Sequence, residues 1–449
     1  MTRFAALLVF CSFTATAAED VDLSVANRIR TEALQNSQVM DHLFYLTDVY
    51  GPRLTNSPGH RAAAEFVVKR LQEYGLQNVK LEKWGPFGQS WRLTHFSASL
   101  LEPQYMPLIG FPLAWTPGTN GNVTGEPVLA IIHSEADLDK YKGKLKGKIV
   151  LTMEPKQIEM ITQPLARRLT DQELLDRQNS DPARFFRGPG GRGGNFAIPT
   201  PAEREAAAKL RAKTNQFFKD EGVLVVLQYG TNGDGGTVFA TSAGSRNPKD
   251  PVPPPTVAVT PEHYNRIARL VQHNIPVKLE FDIRTEFLND SPDSFNVVGE
   301  IPGTTKKDEL VMLGGHLDSW HGATGATDNA TGCSVAIEAV RILEALKLPM
   351  ARTVRIALWG GEEEGLLGSI AYVQEHFARR DTMQLGPEYN KLSAYYNDDT
   401  GTGKFRGISA GGNDMVVPIF EEWLKPFHDL GAIAVVGATA PPTRPNSAL

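Results

Sequence analysis

The second half of the chain repeats one pattern three times: an apolar run with strand character, followed at once by carboxylates. Glu309–Leu313 leads into Gly314-Gly315-His316-Leu317-Asp318. Thr353–Leu358 leads into Gly360-Gly361-Glu362-Glu363-Glu364, and Ser393–Asn397 leads into Asp398-Asp399. Helical spacing over about Gly332–Leu346 and Leu366–Phe377 separates the runs, and a further strand, Asn296–Ile301, precedes them. Strands alternating with helices predict an α/β fold: a mostly parallel mixed sheet with helices on both faces. A weaker helical pattern covers 415–428, weakened because Pro418 and Pro426 fall within it.

In such sheets ligands bind beyond the carboxyl ends of the strands. Three strand ends therefore deliver His316, Asp318, Glu362, Glu363, Glu364, Asp398 and Asp399 to one rim, and the helix start at Gly325–Gly332 adds Asp328. Singly, each has an ordinary reading: a structural histidine, a helix N-cap for Asp328, a turn residue, a solvated acidic triplet. Jointly they do not, because so many carboxylates on one rim repel one another unless cations sit among them. One imidazole with several carboxylates suits zinc, which takes nitrogen and oxygen ligands. Paired glycines precede two of the sets and allow close approach of backbone and substrate.

Taken in order, His316-Leu317-Asp318, Gly325-Ala326-x-Asp328-Asn329, Glu362-Glu363-x-Gly365-x-x-Gly368-Ser369 and Asn397-x-Asp399 resemble the co-catalytic two-zinc exopeptidase family of aminopeptidases and glutamate carboxypeptidases. Asn296–Gly303 resembles the strand that opens its catalytic half, and Gly51-Pro52-Arg53-Leu54 sits as in the plasma glutamate carboxypeptidase-like members. The resemblance implies a peptide or dipeptide substrate and two Zn2+ ions. His316, Asp328 and Asp399 would hold one ion; Asp328 would bridge to the second, which Glu363 also holds. Glu362 would be the general base acting on a zinc-activated water. Asp318, two residues along an extended strand end from His316, would accept the proton of the other imidazole nitrogen. Glu364 is unspecified by the motif and is expected either to support the residues that hold the metal or to face solvent. The family pattern needs one further histidine downstream. The sole histidine after Asp399 is His428, in the weak helix, so the chain is expected to be a C-terminally incomplete reading of a longer enzyme.

The other features fit this frame. The 449 residues carry 46 Lys and Arg against 51 Asp and Glu, a net charge of −5, so no nucleic-acid or anionic-membrane partner is indicated. The glycine-rich Arg187–Gly194 reads as a loop rather than an RNA-binding repeat. At the start, Phe4–Phe13 is a short apolar run ending at Ala15-Thr16-Ala17, which reads as a signal peptide over 1–18 and an exported protein, periplasmic or secreted, with no membrane span. Cys11 leaves with it, and Cys333 is then a small buried residue. Helical spacing covers 24–48 and 59–75, the second ending at Gly75, and strands cover Val79–Trp84 and Trp91–Leu100.

Between these and the catalytic half, 105–284 changes texture, with many Pro and Gly and short β-rich runs around helical patterns at 201–219 and 261–272. It resembles a protease-associated insert, making 19–104 and 285–449 the peptidase domain. Trp320, His321 and the Arg187–Gly194 loop are candidates to border the pocket, with a core aromatic, a solvated histidine and a mobile loop as the ordinary readings. Two other functions share the fold: a glutaminyl cyclase-like transferase, which usually lacks the insert, and a non-catalytic binding protein, which tends to lose the ligands retained here. Which substrate end is recognised, and whether the protein is a homodimer, stay open.

Overall fold

The structure is a computed structural model describing residues 20–164, 168–178, 200–233, 235–399, 401 and 403–437. The expected signal peptide, the Arg187–Gly194 loop and Pro441–Leu449 lie outside the described residues. The described residues form two compact units: one from 20–31, 168–178 and 403–437, the other from 32–164, 200–233, 235–399 and 401.

Helices α1 (Leu23–Gln35) and α2 (Val39–Phe44) replace the single helix expected over 24–48. At the break the Gln38 N–H donates to Glu338 Oε1 at 3.2 Å and the Val39 N–H to Ser37 Oγ at 3.4 Å. Side chains thus take donors that a continuous helix would have paired. Helix α3 (Pro58–Glu73) starts where the Ser57 hydroxyl accepts the His60 N–H, with Pro58 in the first turn. It stops before Gly75, whose φ of +95° suits a residue without Cβ, and the Leu76 N–H closes onto the Leu71 carbonyl.

Strands β1 (Gln77–Trp84), β2 (Ser90–Glu102), β3 (Met106–Pro107), β4 (Gly110–Pro112), β5 (Asn122–Gly125), β6 (Pro127–Leu129) and β7 (Ile149–Leu151) follow. Then come α4 (Asp171–Gln178), α5 (Pro201–Glu221), β8 (Val225–Tyr229), β9 (Thr256–Val259), α6 (Pro261–Gln272) and β10 (Lys278–Leu288). One sheet has the order β4-β9-β8-β7-β6 and lies wholly within 105–284; a second has the order β3-β2-β10-β5. Strand β10 runs past residue 284 and pairs with β2 on one side and β5 on the other.

The sheet that carries the carboxylates has the order β1-β11-β13-β12-β16, with β11 (Ser294–Ile301), β12 (Lys306–His316), β13 (Arg352–Trp359) and β16 (Leu392–Asn397). Helix α7 (Thr331–Leu346) precedes β13, and α8 (Leu367–His376) follows it; β14 (Ala378–Arg379) and β15 (Gln384–Leu385) form a small hairpin before β16. The sheet is mixed: β12 is parallel to β13 and β16, whereas β11 is antiparallel to β1 and β13. Its parallel share is therefore confined to the strands that end at the rim.

Successive residues of β11 point to opposite faces, Val297 into a core with α3 and α7, Val298 into a second core with α8. Both faces are thus covered, which is why β11 and β13 read as nearly continuous apolar runs.

In the other unit, β17 (Gly407–Ser409) pairs in parallel with β18 (Ala434–Val436). Arg406 ties it together, donating to the carbonyls of Gly431 at 2.9 Å and Leu169 at 3.0 Å and pairing with Asp171. The helix expected over 415–428 is α9 (Val417–Leu424) and then a 3-10 turn, Lys425–Leu430. Pro418 is tolerated in the first turn, and Pro426 ends the α-helical pattern by removing a donor. His428 lies in the 3-10 turn. Among the described residues no helix is long and apolar enough to cross a membrane.

Ile356 is fully buried in β13, between β11 and β12. Ile356→Ala should lower stability by about 2–5 kcal/mol through lost burial and the cavity left behind. Chemical denaturation checks this; a loss below about 1 kcal/mol would show that the position is not core.

Candidate metal centre

Strand register brings the site residues level. Gly314, Gly315 and His316 pair with Ala357, Leu358 and Trp359 across the β12–β13 ladder, and Gly314 pairs with Asn397 across the β12–β16 ladder. His316 therefore ends beside the end of β13, and Asp398 and Asp399 emerge alongside it. Asn329 fixes the third approach. Its amide donates to the Asp398 carbonyl at 2.7 Å, and its carbonyl oxygen accepts the Gly332 N–H at 3.1 Å, tying the start of α7 to the end of β16. The glycine before His316 serves this joint: a Cβ on Gly315 would lie 2.8 Å from the Asp398 carbonyl oxygen and 2.9 Å from the Asn329 amide. The close approach is thus between neighbouring backbones. Gly361 has φ +75°, which turns the chain from β13 into Glu362.

The result is a group of three donors. His316 Nε2 is buried and makes no hydrogen bond among the described residues. Asp328 Oδ1 lies 2.9 Å from it, off the N–H line, and Asp399 Oδ1 lies 3.3 Å away. One donor atom from each residue falls within 4.8 Å of the others. A nitrogen without a hydrogen bond, faced by two carboxylate oxygens, fits a cation better than a proton, which can point at one acceptor only. The donor set of one imidazole and two carboxylates fits zinc.

Glu362 Oε2 is 4.0 Å from the same nitrogen. The ring's other nitrogen, Nδ1, lies 3.0 Å from the carbonyl oxygen of Asp318 and 3.8 Å from its carboxylate. Asp318 is fully buried, and its carboxylate accepts the N–H groups of Glu362 at 3.1 Å and Glu363 at 3.2 Å and the Thr55 hydroxyl at 2.9 Å. The nearer partner of the imidazole is thus the Asp318 carbonyl, and the carboxylate chiefly holds the Glu362–Glu363 turn. The Cys333 thiol, buried below, donates to the His316 carbonyl at 3.0 Å.

Glu363 is half-buried and stands outside the three-donor group. Burial, then the nearby Asp318 and Asp328 carboxylates, push its carboxyl up to about 8. Burial, then Asp318, Asp399 and Asp328, raise Glu362 as well. Burial works against the His316 imidazolium, but Asp328, Asp399 and Asp318 more than offset it and hold the ring well above its usual value. Glu364 is not solvated: one carboxyl oxygen is buried without a hydrogen-bond partner among the described residues, and the other lies 2.7 Å from the Thr55 hydroxyl oxygen. Trp320 packs in a cluster with Trp115, and His321 is buried edge-on against Trp91, with Nε2 2.6 Å from the Pro112 carbonyl. His321 is therefore a packing residue. Asn329 and Arg53 stand within quoted motifs, but neither was given a role by the sequence reading, and Thr55 was not singled out.

A divalent cation at these carboxylates would compete with protons. The folded protein raises the Glu363 value above its ordinary 4.5, so this group favours the folded state below that value and ceases to as pH rises through about 8. A cation held there would bind the deprotonated form and offset the loss. The rise in melting temperature on adding zinc to chelator-treated protein should accordingly be larger at pH 8 than at pH 5.5; equal rises would contradict it.

Residues 296–410 match peptidase family M28. Carboxypeptidase Q of Mus musculus is 26% identical over 419 residues, covering 93% of this chain and 76% of its own. Two solved structures share the fold: a peptidase M28 precursor from Shewanella amazonensis (TM-score 0.59, 23% identity, 93% of this chain and 82% of that one) and a zinc aminopeptidase from Bacillus subtilis (TM-score 0.52, 17% identity, 89% and 79%). These matches support a peptidase. The recognition carried by the motifs therefore stands: the chain resembles the zinc exopeptidases, and residues 296–410, which hold the three-donor group, fit peptidase family M28.

Proposed function

We propose that the protein is an exported metal-dependent exopeptidase that hydrolyses a terminal peptide bond with two zinc ions. The observation that carries this is the buried His316 Nε2, without a hydrogen bond and faced by Asp328 and Asp399 oxygens at 2.9 and 3.3 Å. His316, Asp328 and Asp399 would hold one ion, and Asp328 with Glu363 the second. When bound, the zinc supplies Lewis acidity, lowering the pKa of water and polarising the scissile carbonyl.

The remaining work belongs to side chains. Glu362 reaches the imidazole side of the group, and its raised pKa suits a base that takes a proton from water and gives it to the leaving amine. Asp318 holds the two N–H groups of the Glu362–Glu363 turn, so base and ligand are aimed by one carboxylate. Export rests on the apolar run at Phe4–Phe13, and the insert over 105–284 on its change of texture. The carboxypeptidase Q and aminopeptidase names of the relatives support peptide substrates and leave the preferred end open.

Glu362→Gln should lower kcat by at least about 10²-fold on a panel of aminoacyl and dipeptide substrates, with the zinc content by metal analysis unchanged. Loss of zinc instead would exchange the roles of Glu362 and Glu363. Turnover equal to wild type would remove Glu362 as the base.

A further inference from the structure

Arg53 is fully buried, yet no carboxylate touches it among the described residues. Its guanidinium donates only to carbonyls: Nε to Leu317 at 2.7 Å, Nη1 to Leu46 at 2.6 Å and Thr324 at 2.8 Å, and Nη2 to Gly325 at 3.0 Å. Two of these acceptors are the ends of one loop. Leu317 follows His316 directly, and Gly325 lies three residues before Asp328. The Arg53 backbone adds a reciprocal pair, its N–H donating to Ser319 Oγ at 3.1 Å and its carbonyl accepting the Ser319 N–H at 3.1 Å. Two residues on, the Thr55 hydroxyl oxygen lies 2.9 Å from an Asp318 carboxylate oxygen and 2.7 Å from one of Glu364. Gly325, with φ +65°, leaves room for the guanidinium, since a Cβ there would lie 2.9 Å from Arg53 Nη2.

Loop ends can be pinned without a charge, and a buried cation is costly to keep without a partner. What surrounds this one is an excess of negative charge: the Asp318, Asp328 and Glu363 carboxylates act on it through space. A planar fork also fixes several acceptors in one geometry, which a lysine ammonium does not.

We propose that Arg53 is a positioning residue for the metal centre, its fork clamping the Leu317–Gly325 loop so that His316 and Asp328 face one ion. This rests on the metal reading above. The fork sets the spacing between the two ligands, and its charge eases the crowding of carboxylates before an ion arrives.

The test measures zinc affinity by competition with a chromophoric chelator, alongside far-UV circular dichroism and kcat and KM. Wild type is measured first. Arg53→Lys, which keeps the charge and loses the fork, should stay folded, bind zinc at least about tenfold more weakly, as ligand-orienting residues do when replaced, and lose more in kcat than it gains in KM. Arg53→Ala should lose affinity too and recover part of it on addition of guanidinium ion at millimolar concentration. A folded Arg53→Lys with wild-type affinity overturns the proposal, as does a folded Arg53→Ala that guanidinium does not rescue. If wild type itself binds no zinc, the metal reading falls and this proposal with it; if wild type binds and Arg53→Lys binds equally, this proposal falls alone.

Discussion

Asp328 and Asp399 bring carboxylate oxygens to 2.9 and 3.3 Å from one imidazole nitrogen, and Glu362 brings a third to 4.0 Å. Unit charges 4 Å apart interact by about 4 kcal/mol at an effective dielectric near 20, so such crowding needs compensation. Several partial answers are visible. The surrounding carboxylates push the His316 ring above its usual value, and burial pushes the Glu363 carboxyl up to about 8. Two N–H groups and a hydroxyl satisfy Asp318, and Arg53 places a buried cation behind the loop. A divalent cation among His316, Asp328 and Asp399 would do at one point what these groups do piecemeal, and would release the protons they hold.

The scaffold makes this crowding unavoidable. Because β12 lies between β13 and β16 and is parallel to both, three carboxyl ends open on one side of the sheet. The backbone joint at Asn329, Gly315 and Asp398 then locks the start of α7 against them. The cores on both faces fix the strands, so the rim residues have little freedom to separate and relieve their repulsion.

Local signals in the sequence reach a long way here. Helix α6, Pro261–Gln272, falls where the helical pattern at 261–272 puts it, because periodicity is local, and the structure adds Thr260 as its N-cap. His316, Asp328 and Asp399 were legible as a group because each ends an apolar run or opens a helix in an alternating pattern. Contacts between distant segments were not. The break between α1 and α2 depends on Glu338, and the burial of Glu364 depends on Thr55. His321 looks like a rim residue until Trp91 packs against it. Arg53 lies in the Gly51–Leu54 stretch, yet its role was not legible there, because its partners are carbonyl oxygens, which every residue possesses.

Crystals grown with zinc and measured on both sides of the zinc absorption edge test the central claim most directly. The expected result is an anomalous peak at bonding distance, roughly 2.0–2.2 Å, from His316 Nε2 and from carboxylate oxygens of Asp328 and Asp399, with a second peak beside Asp328 and Glu363. Anomalous density elsewhere, with these side chains facing only water, would contradict it.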